Sequence, residues 1–128
     1  MRMVTLSMML AFFSIGCSRT DGPKEKYFSG ETVEHWLDAI KSPEPKTRKK
    51  AADVLGNVGS VDPRAIPALI EALKDRDAKV RDAAVLGLSK IGTPAIAAES
   101  ALEIATKDND ATVRTHATAA LERIRGAK

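Results

Sequence analysis

The sequence predicts an all-α fold, an α-solenoid of about three helix-turn-helix units with six helices in all. Three observations predict it. First, the stretch from Val80 to Gly92 recurs. Thr47-Arg48, Ala51, Leu55, Val58 and Gly59 stand 33 residues earlier, and Val113-Arg114, Ala117, Leu121 and Ile124 stand 33 residues later. A fixed period of about 20–50 residues without insertions marks a stacked-repeat architecture. Second, the apolar residues within each copy recur at helical spacing. Third, aromatics make up only 4% of the 128 residues, so the core is built from Ala, Leu, Ile and Val, a set that suits closely approaching helices.

Taken from its start, the chain opens with Arg2 and an apolar run from Met3 to Ile15 that leads into Gly16-Cys17. The run is too short to cross a bilayer, which takes about 20 residues, and residues 1–16 read as a secretory signal. Cys17 is the sole cysteine, so no disulfide forms within the chain. Residues 17–31 read as a polar tether, with Gly22-Pro23 and no apolar periodicity in its first part. Tyr27 and Phe28 interrupt it and are expected to pack back onto the first helix pair, the alternative being a partner contact.

Residues 32–128 form the repeat domain, with units over about 32–59, 62–92 and 93–125. In the first unit Thr32 is the candidate cap of a helix carrying Val33, Trp36, Leu37 and Ile40 on one face, and Glu44-Pro45 opens the second helix. The middle unit's first helix is expected from Pro63 to Lys74, capped by Asp62. Its Ile66, Leu69, Ile70 and Leu73 fall at i, i+3, i+4 and i+7. Pro67 either marks the true start or bends that helix. The second helix follows Asp77 as N-cap, places Val80, Ala84, Leu88 and Ile91 on one side, and stops at Gly92 in the left-handed conformation. The third unit pairs a helix near Pro94 to Lys107 with one near Ala111 to Arg125.

The middle unit is apolar on two sides, because Val85 and Leu86 lie outside the shared stripe. Their counterparts in the third unit are Thr118 and Ala119, while Ile66, Ile70 and Leu73 become Glu99, Glu103 and Thr106. A sandwiched unit needs two apolar faces and a terminal one turns a polar face to water, so the third unit is expected to cap the array. Three units is about the minimum for a stable stack.

These units resemble HEAT repeats, of the short kind also found in phycobilisome-lyase-like proteins. The signature is Asp75-x-Asp77-x-x-Val80-Arg81-x-x-Ala84, then Leu88 and Ile91-Gly92. It recurs as Asp108-x-Asp110-x-x-Val113-Arg114-x-x-Ala117, and the first copy has Ser42, Glu44, Thr47 and Arg48. The resemblance implies a charged ladder between neighbouring units, with Asp75 and Arg81, and Asp108 and Arg114, as its residues. Arg48 faces Ser42 in its own unit, which leaves the ladder open at the first copy. Ser14-Ile15-Gly16-Cys17 resembles the lipobox of bacterial lipoproteins, in which the cysteine carries a lipid after cleavage. On that resemblance the protein is exported to the cell envelope and held at the membrane through Cys17. Cleavage at Ser14 and Gly16 by ordinary signal peptidase, giving a soluble periplasmic or secreted protein, and an uncleaved cytoplasmic chain are the other readings.

Catalytic parts are few. His35 and His116, the only histidines, stand in no metal-ligand spacing, and no phosphate loop or nucleophile-base order is present. The expectation is a non-enzyme with no cofactor and no metal. Lys46, Arg48, Lys49 and Lys50 form a basic cluster that reads as a solvated face or as a possible binding patch for acidic lipid or protein. Net charge is only +3 with interspersed carboxylates, and the exported start argues against nucleic acid. Trp36 is expected in the core, and Ile96 and Ile104 at the surface as a hint of a partner site. The reading is an exported, lipid-anchored scaffold that binds a protein of unknown identity. The runner-up is an accessory subunit of the lyase-like class that assists modification of a partner or attachment of its cofactor.

Overall fold

Residues 27–126 are described by the computed structural model; the expectations for the signal, Cys17 and tether residues 17–26 lie outside them. The described chain holds a two-stranded hairpin, β1 (Tyr27–Phe28) and β2 (Glu31–Thr32), and six helices. These are α1 (Val33–Ala39), α2 (Pro45–Val58), α3 (Ala65–Ala72), α4 (Ala78–Ile91), α5 (Glu99–Ala105) and α6 (Ala111–Ile124). Each odd-numbered helix packs on the even-numbered helix that follows it, and α2, α4 and α6 pack in turn as one layer. The described residues therefore form an all-α solenoid of three helix pairs.

The 33-residue register sets the core. Leu55 and Leu88 are buried completely, as are Val80 and Val113, Leu69 and Leu102, and Ala84 and Ala117. Fully burying one such leucine contributes about 1.5–3 kcal/mol. The layer is tightest where α2 crosses α4. A Cβ placed on Gly56 would overlap the Gly87 backbone, so the crossing depends on the absence of a side chain at Gly56, while one on Gly87 would make a tight contact with the Gly56 Cα.

The second helices start where the sequence signals them. Asp77 Oδ1 accepts from the backbone N–H of Lys79 and Val80, and Asp110 Oδ1 from those of Thr112 and Val113. These bonds serve first-turn N–H groups, which have no carbonyl four residues back within the helix. Thr32 Oγ1 accepts from His35 N–H at 3.2 Å in the same role for α1. Glu44 caps nothing with its side chain, and α2 starts instead on Pro45, whose ring presets the first turn.

Several expectations are corrected. The α3 helix begins at Ala65, not Pro63. Pro67 is thus its third residue, inside the first turn where a missing N–H costs nothing, and it bends no helix. Asp62 holds the turn before it, accepting from the backbone N–H of Arg64 at 3.1 Å. Gly92 has φ 72° but ψ −140°, outside the left-handed helical well and accessible at little cost only to glycine. The third unit's first helix is not continuous. A 3₁₀ segment, Thr93–Ala98, precedes α5, with Ala95 at φ −91°, ψ 22°. Three residues per turn align Ala95 and Ala98 toward the core and turn Ile96 out, where it is half exposed. Leu86 is also partly in water at 38% exposure, whereas Val85 beside it is fully buried, so only one of the two residues forms the second apolar side.

The tether reading also ends early, because Tyr27 to Glu31 belongs to the hairpin. Ser29 and Gly30 both have positive φ (54° and 85°), the signature of a two-residue type I′ turn that matches strand twist. The indole N–H of Trp36 donates to the Phe28 carbonyl at 2.9 Å, and the Phe28 side chain packs against the core, fastening the hairpin to α1.

Candidate functional site

Three arginines stand at one register position on successive second helices, and their surroundings differ in an ordered way. Arg48 on α2 donates from Nε and Nη2 to the two carboxylate oxygens of Asp75, at 2.8 and 3.0 Å. Arg81 on α4 makes the same pair of bonds to Asp108, again at 2.8 and 3.0 Å. A planar guanidinium matches a carboxylate in this two-pronged way, which lysine cannot. The remaining nitrogen, Nη1, turns back to the loop of its own unit. It donates to the Ser42 and Pro43 carbonyls from Arg48, and to the Asp75 carbonyl from Arg81.

The ladder thus links each arginine to the aspartate of the following unit. The expected side-chain pairing of Asp75 with Arg81, and of Asp108 with Arg114, is corrected: within a unit the arginine meets the aspartate's backbone carbonyl. The reason is geometric, since stacking brings a residue 27 positions ahead nearer to the guanidinium fork than the carboxylate six positions behind. The first copy is consequently complete, with Arg48 6% exposed and fully engaged. Ser42 still performs the local half of the aspartate's task. Its Oγ accepts from Glu44 N–H at 3.2 Å, as Asp75 Oδ1 accepts from Asp77 N–H at 2.9 Å and Asp108 Oδ1 from Asp110 N–H at 2.8 Å. Among the described residues no arginine reaches Ser42 from a preceding unit, so a neutral side chain serves there.

Burial alone would raise the carboxyl of Asp75, but the hydrogen bonds from Arg48 and from the Asp77 N–H outweigh it and leave the group below its ordinary range. Asp108 follows the same pattern with Arg81 and the Asp110 N–H. Both arginines are held more firmly protonated by these bonds. Arg114 is the exception. Its Nη1 donates to the Asp108 and Asn109 carbonyls at 2.7 and 3.1 Å, it is exposed, and no carboxylate pairs with it among the described residues.

The four residues of the basic cluster have different surroundings. Arg48 faces inward as a ladder residue, Lys49 pairs with Asp53 at 2.8 Å, and Lys50 lies over the Trp36 ring at 5.4 Å, leaving Lys46 as an exposed cation of the cluster. Trp36 is in the core at 4% exposure. His35 is exposed and meets Trp36 edge-on. His116 is partly exposed, and its Nδ1 lies 2.6 Å from Asp82 Oδ1 on α4. No cluster of metal-ligating side chains occurs among the described residues.

Sequence reasoning missed a face shared by all three units. Asp82, Leu86 and Lys90 lie four residues apart on α4 and so share one side of it. Asp82 meets His116 on α6, and Lys90 Nζ donates to Asn57 on α2 at 3.3 Å. Leu86 therefore sits exposed at the middle of a surface that runs from α2 to α6. The signal that could have found it is the 33-residue spacing of Asn57 and Lys90, which places them on adjacent helices. On the other layer, Ile104 is 75% exposed beside an open depression of about 570 Å³ bordered by Leu73, Ala101, Lys107 and Asp108.

Among solved structures, the crystal structure of an engineered protein is similar, at 28% identity and a TM-score of 0.63, over 73% of this chain and 45% of that one. The chain thus spans less than half the length of that protein. No curated protein matches it in sequence. The family model for HEAT repeats matches residues 33–122, which takes in all six helices save the last two residues of α6, and the chain therefore belongs to the HEAT repeat family.

Proposed function

We propose that this protein is a non-catalytic scaffold that binds another protein through the face of the α2–α4–α6 layer, and that it is exported and lipid-anchored at Cys17. HEAT repeats commonly serve protein–protein interaction, and the observation that carries the reading here is Leu86, an apolar side chain left at 38% exposure in the centre of a surface spanning three units. The polar pairs on either side, Asp82 with His116 and Lys90 with Asn57, give that surface a satisfied rim around an apolar centre, the anatomy of a recognition patch. The signature arginines and aspartates contribute cohesion instead, because Arg48, Asp75, Arg81 and Asp108 are engaged with one another. The anchor rests on the Ser14 to Cys17 sequence alone.

Leu86→Arg tests the face. It adds a charge to an exposed position, so the far-ultraviolet circular dichroism and melting midpoint stay as in the parent, while a membrane protein enriched by the parent is lost. Equal recovery by both, or no enrichment by the parent, would sink the scaffold reading. A change in a partner's cofactor content on deletion would favour the accessory-subunit role instead. Labelled fatty acid retained by Cys17→Ser would remove the lipid anchor.

A further inference from the structure

The three register-equivalent arginines form an internal series with two occupied members and one open one. In Arg48 and Arg81 the Nε–Nη2 edge holds an aspartate at 2.8 and 3.0 Å, while Nη1 is fixed by loop carbonyls. Arg114 keeps the fixing half of that arrangement, Nη1 to the Asp108 and Asn109 carbonyls, and its Nε–Nη2 edge carries no carboxylate among the described residues. Two tethering bonds on one nitrogen aim the rest of the fork before any ligand arrives. That preorganisation lowers the ordering cost of binding.

We propose that Arg114 is a receptor for an aspartate carboxylate presented at the start of a helix by a partner protein. The two filled copies define the ligand. Asp75 and Asp108 each use one oxygen to accept an N–H two residues on, which holds the carboxylate square to the incoming guanidinium at a loop-to-helix junction. A second copy of this chain is a poor occupant, because the equivalent position in its first unit is Ser42, a neutral side chain. A further unit of the same apolar kind does not fit either. Where the middle unit has Ile66, Ile70 and Val85, the third has Glu99, Glu103 and Thr118, and Arg125 clamps both glutamates into a polar surface. The partner thus brings a carboxylate to a hydrophilic end, not an apolar seam. This extends the scaffold reading and rests on it, but it concerns the end of the stack and not the Leu86 face.

The experiment titrates the full chain with a synthetic peptide carrying residues 72–83, which contains Asp75, and with the same peptide bearing Asp75→Asn. The ¹H–¹⁵N signal of Arg114 Nε and the amides of Asp108 and Asn109 report binding. The acidic peptide is expected to shift them saturably, and the Asn peptide to bind about fivefold more weakly, as fits one exposed charge pair. Arg114→Lys keeps the charge but loses the fork, so its amide shifts should need about fivefold more of the acidic peptide. Equal binding of the two peptides, an unchanged Lys variant, or no shift at all would overturn the proposal. Sedimentation showing self-association that Arg114→Lys abolishes would also overturn it, in favour of a second copy. Leu86→Arg should leave the peptide titration unaltered, which separates failure here from failure of the scaffold face.

Discussion

The middle and third units share a frame and differ in what surrounds it. Leu69 and Leu102, Val80 and Val113, and Ala84 and Ala117 are equally buried in the two. Around that common core, Ile66 is replaced by Glu99, Ile70 by Glu103, Val85 by Thr118, and the carboxylate-paired Arg81 by Arg114, which meets no carboxylate among the described residues. The fold of a unit and its place in the stack are therefore written in separate sets of residues. One set closes the helix pair upon itself, and the other decides whether its outer side meets a neighbour or water.

The largest effect that tests this division comes from the shared core. Leu88→Ala empties a fully buried site between two neighbouring helices and should cost about 2–5 kcal/mol. Leu121→Ala, at the matching but slightly exposed site of the end helix, should cost less, because solvent and side chains there can collapse into the gap. Urea denaturation of both variants measures the difference, and equal losses would contradict the distinction between inner and outer units.

A smaller effect separates the arginines. Arg81→Ala strands the Asp108 carboxylate at an inter-unit contact and should cost about 1–3 kcal/mol. Arg114→Ala removes two carbonyl bonds at an exposed site and should leave the melting midpoint where it was. The smallest effect is acid sensitivity. Asp75 and Asp108 titrate below their ordinary range in the folded protein, so the stability they contribute is fully present above about pH 4. It is lost as pH falls through their lowered folded values. In Arg81→Ala the loss of stability below pH 4 should be shallower, since Asp108 no longer has its cation. Melting midpoints taken across that range for parent and variant check the sign.

The helices and their order were legible because a buried stripe demands its apolar residue at every turn, and the 33-residue echo tripled that signal. The direction of the ladder was not legible. Spacing along the chain puts Arg81 near Asp75, whereas the rise of the stack puts Asp108 at its fork, and only the packed structure weighs one against the other. The break before α5 also left little trace, since an alanine-rich run favours helix at each position yet the conformation of Gly92 and the ring of Pro94 set a different entry angle. The hairpin had a readable cue in Ser29-Gly30. It was hidden by strands of two residues each, too short to show alternation.

The attachment of Trp36 to Phe28 has an experimental consequence. The chain contains one tryptophan, and it lies buried in the first helix pair with its indole hydrogen-bonded to the hairpin. Intrinsic fluorescence accordingly watches the first helix pair, while ellipticity sums over every helix. Recording the two together during unfolding times the loss of that pair against the whole. A leading fluorescence change means the array unzips from the hairpin side, and superimposed curves mean all three pairs let go at once.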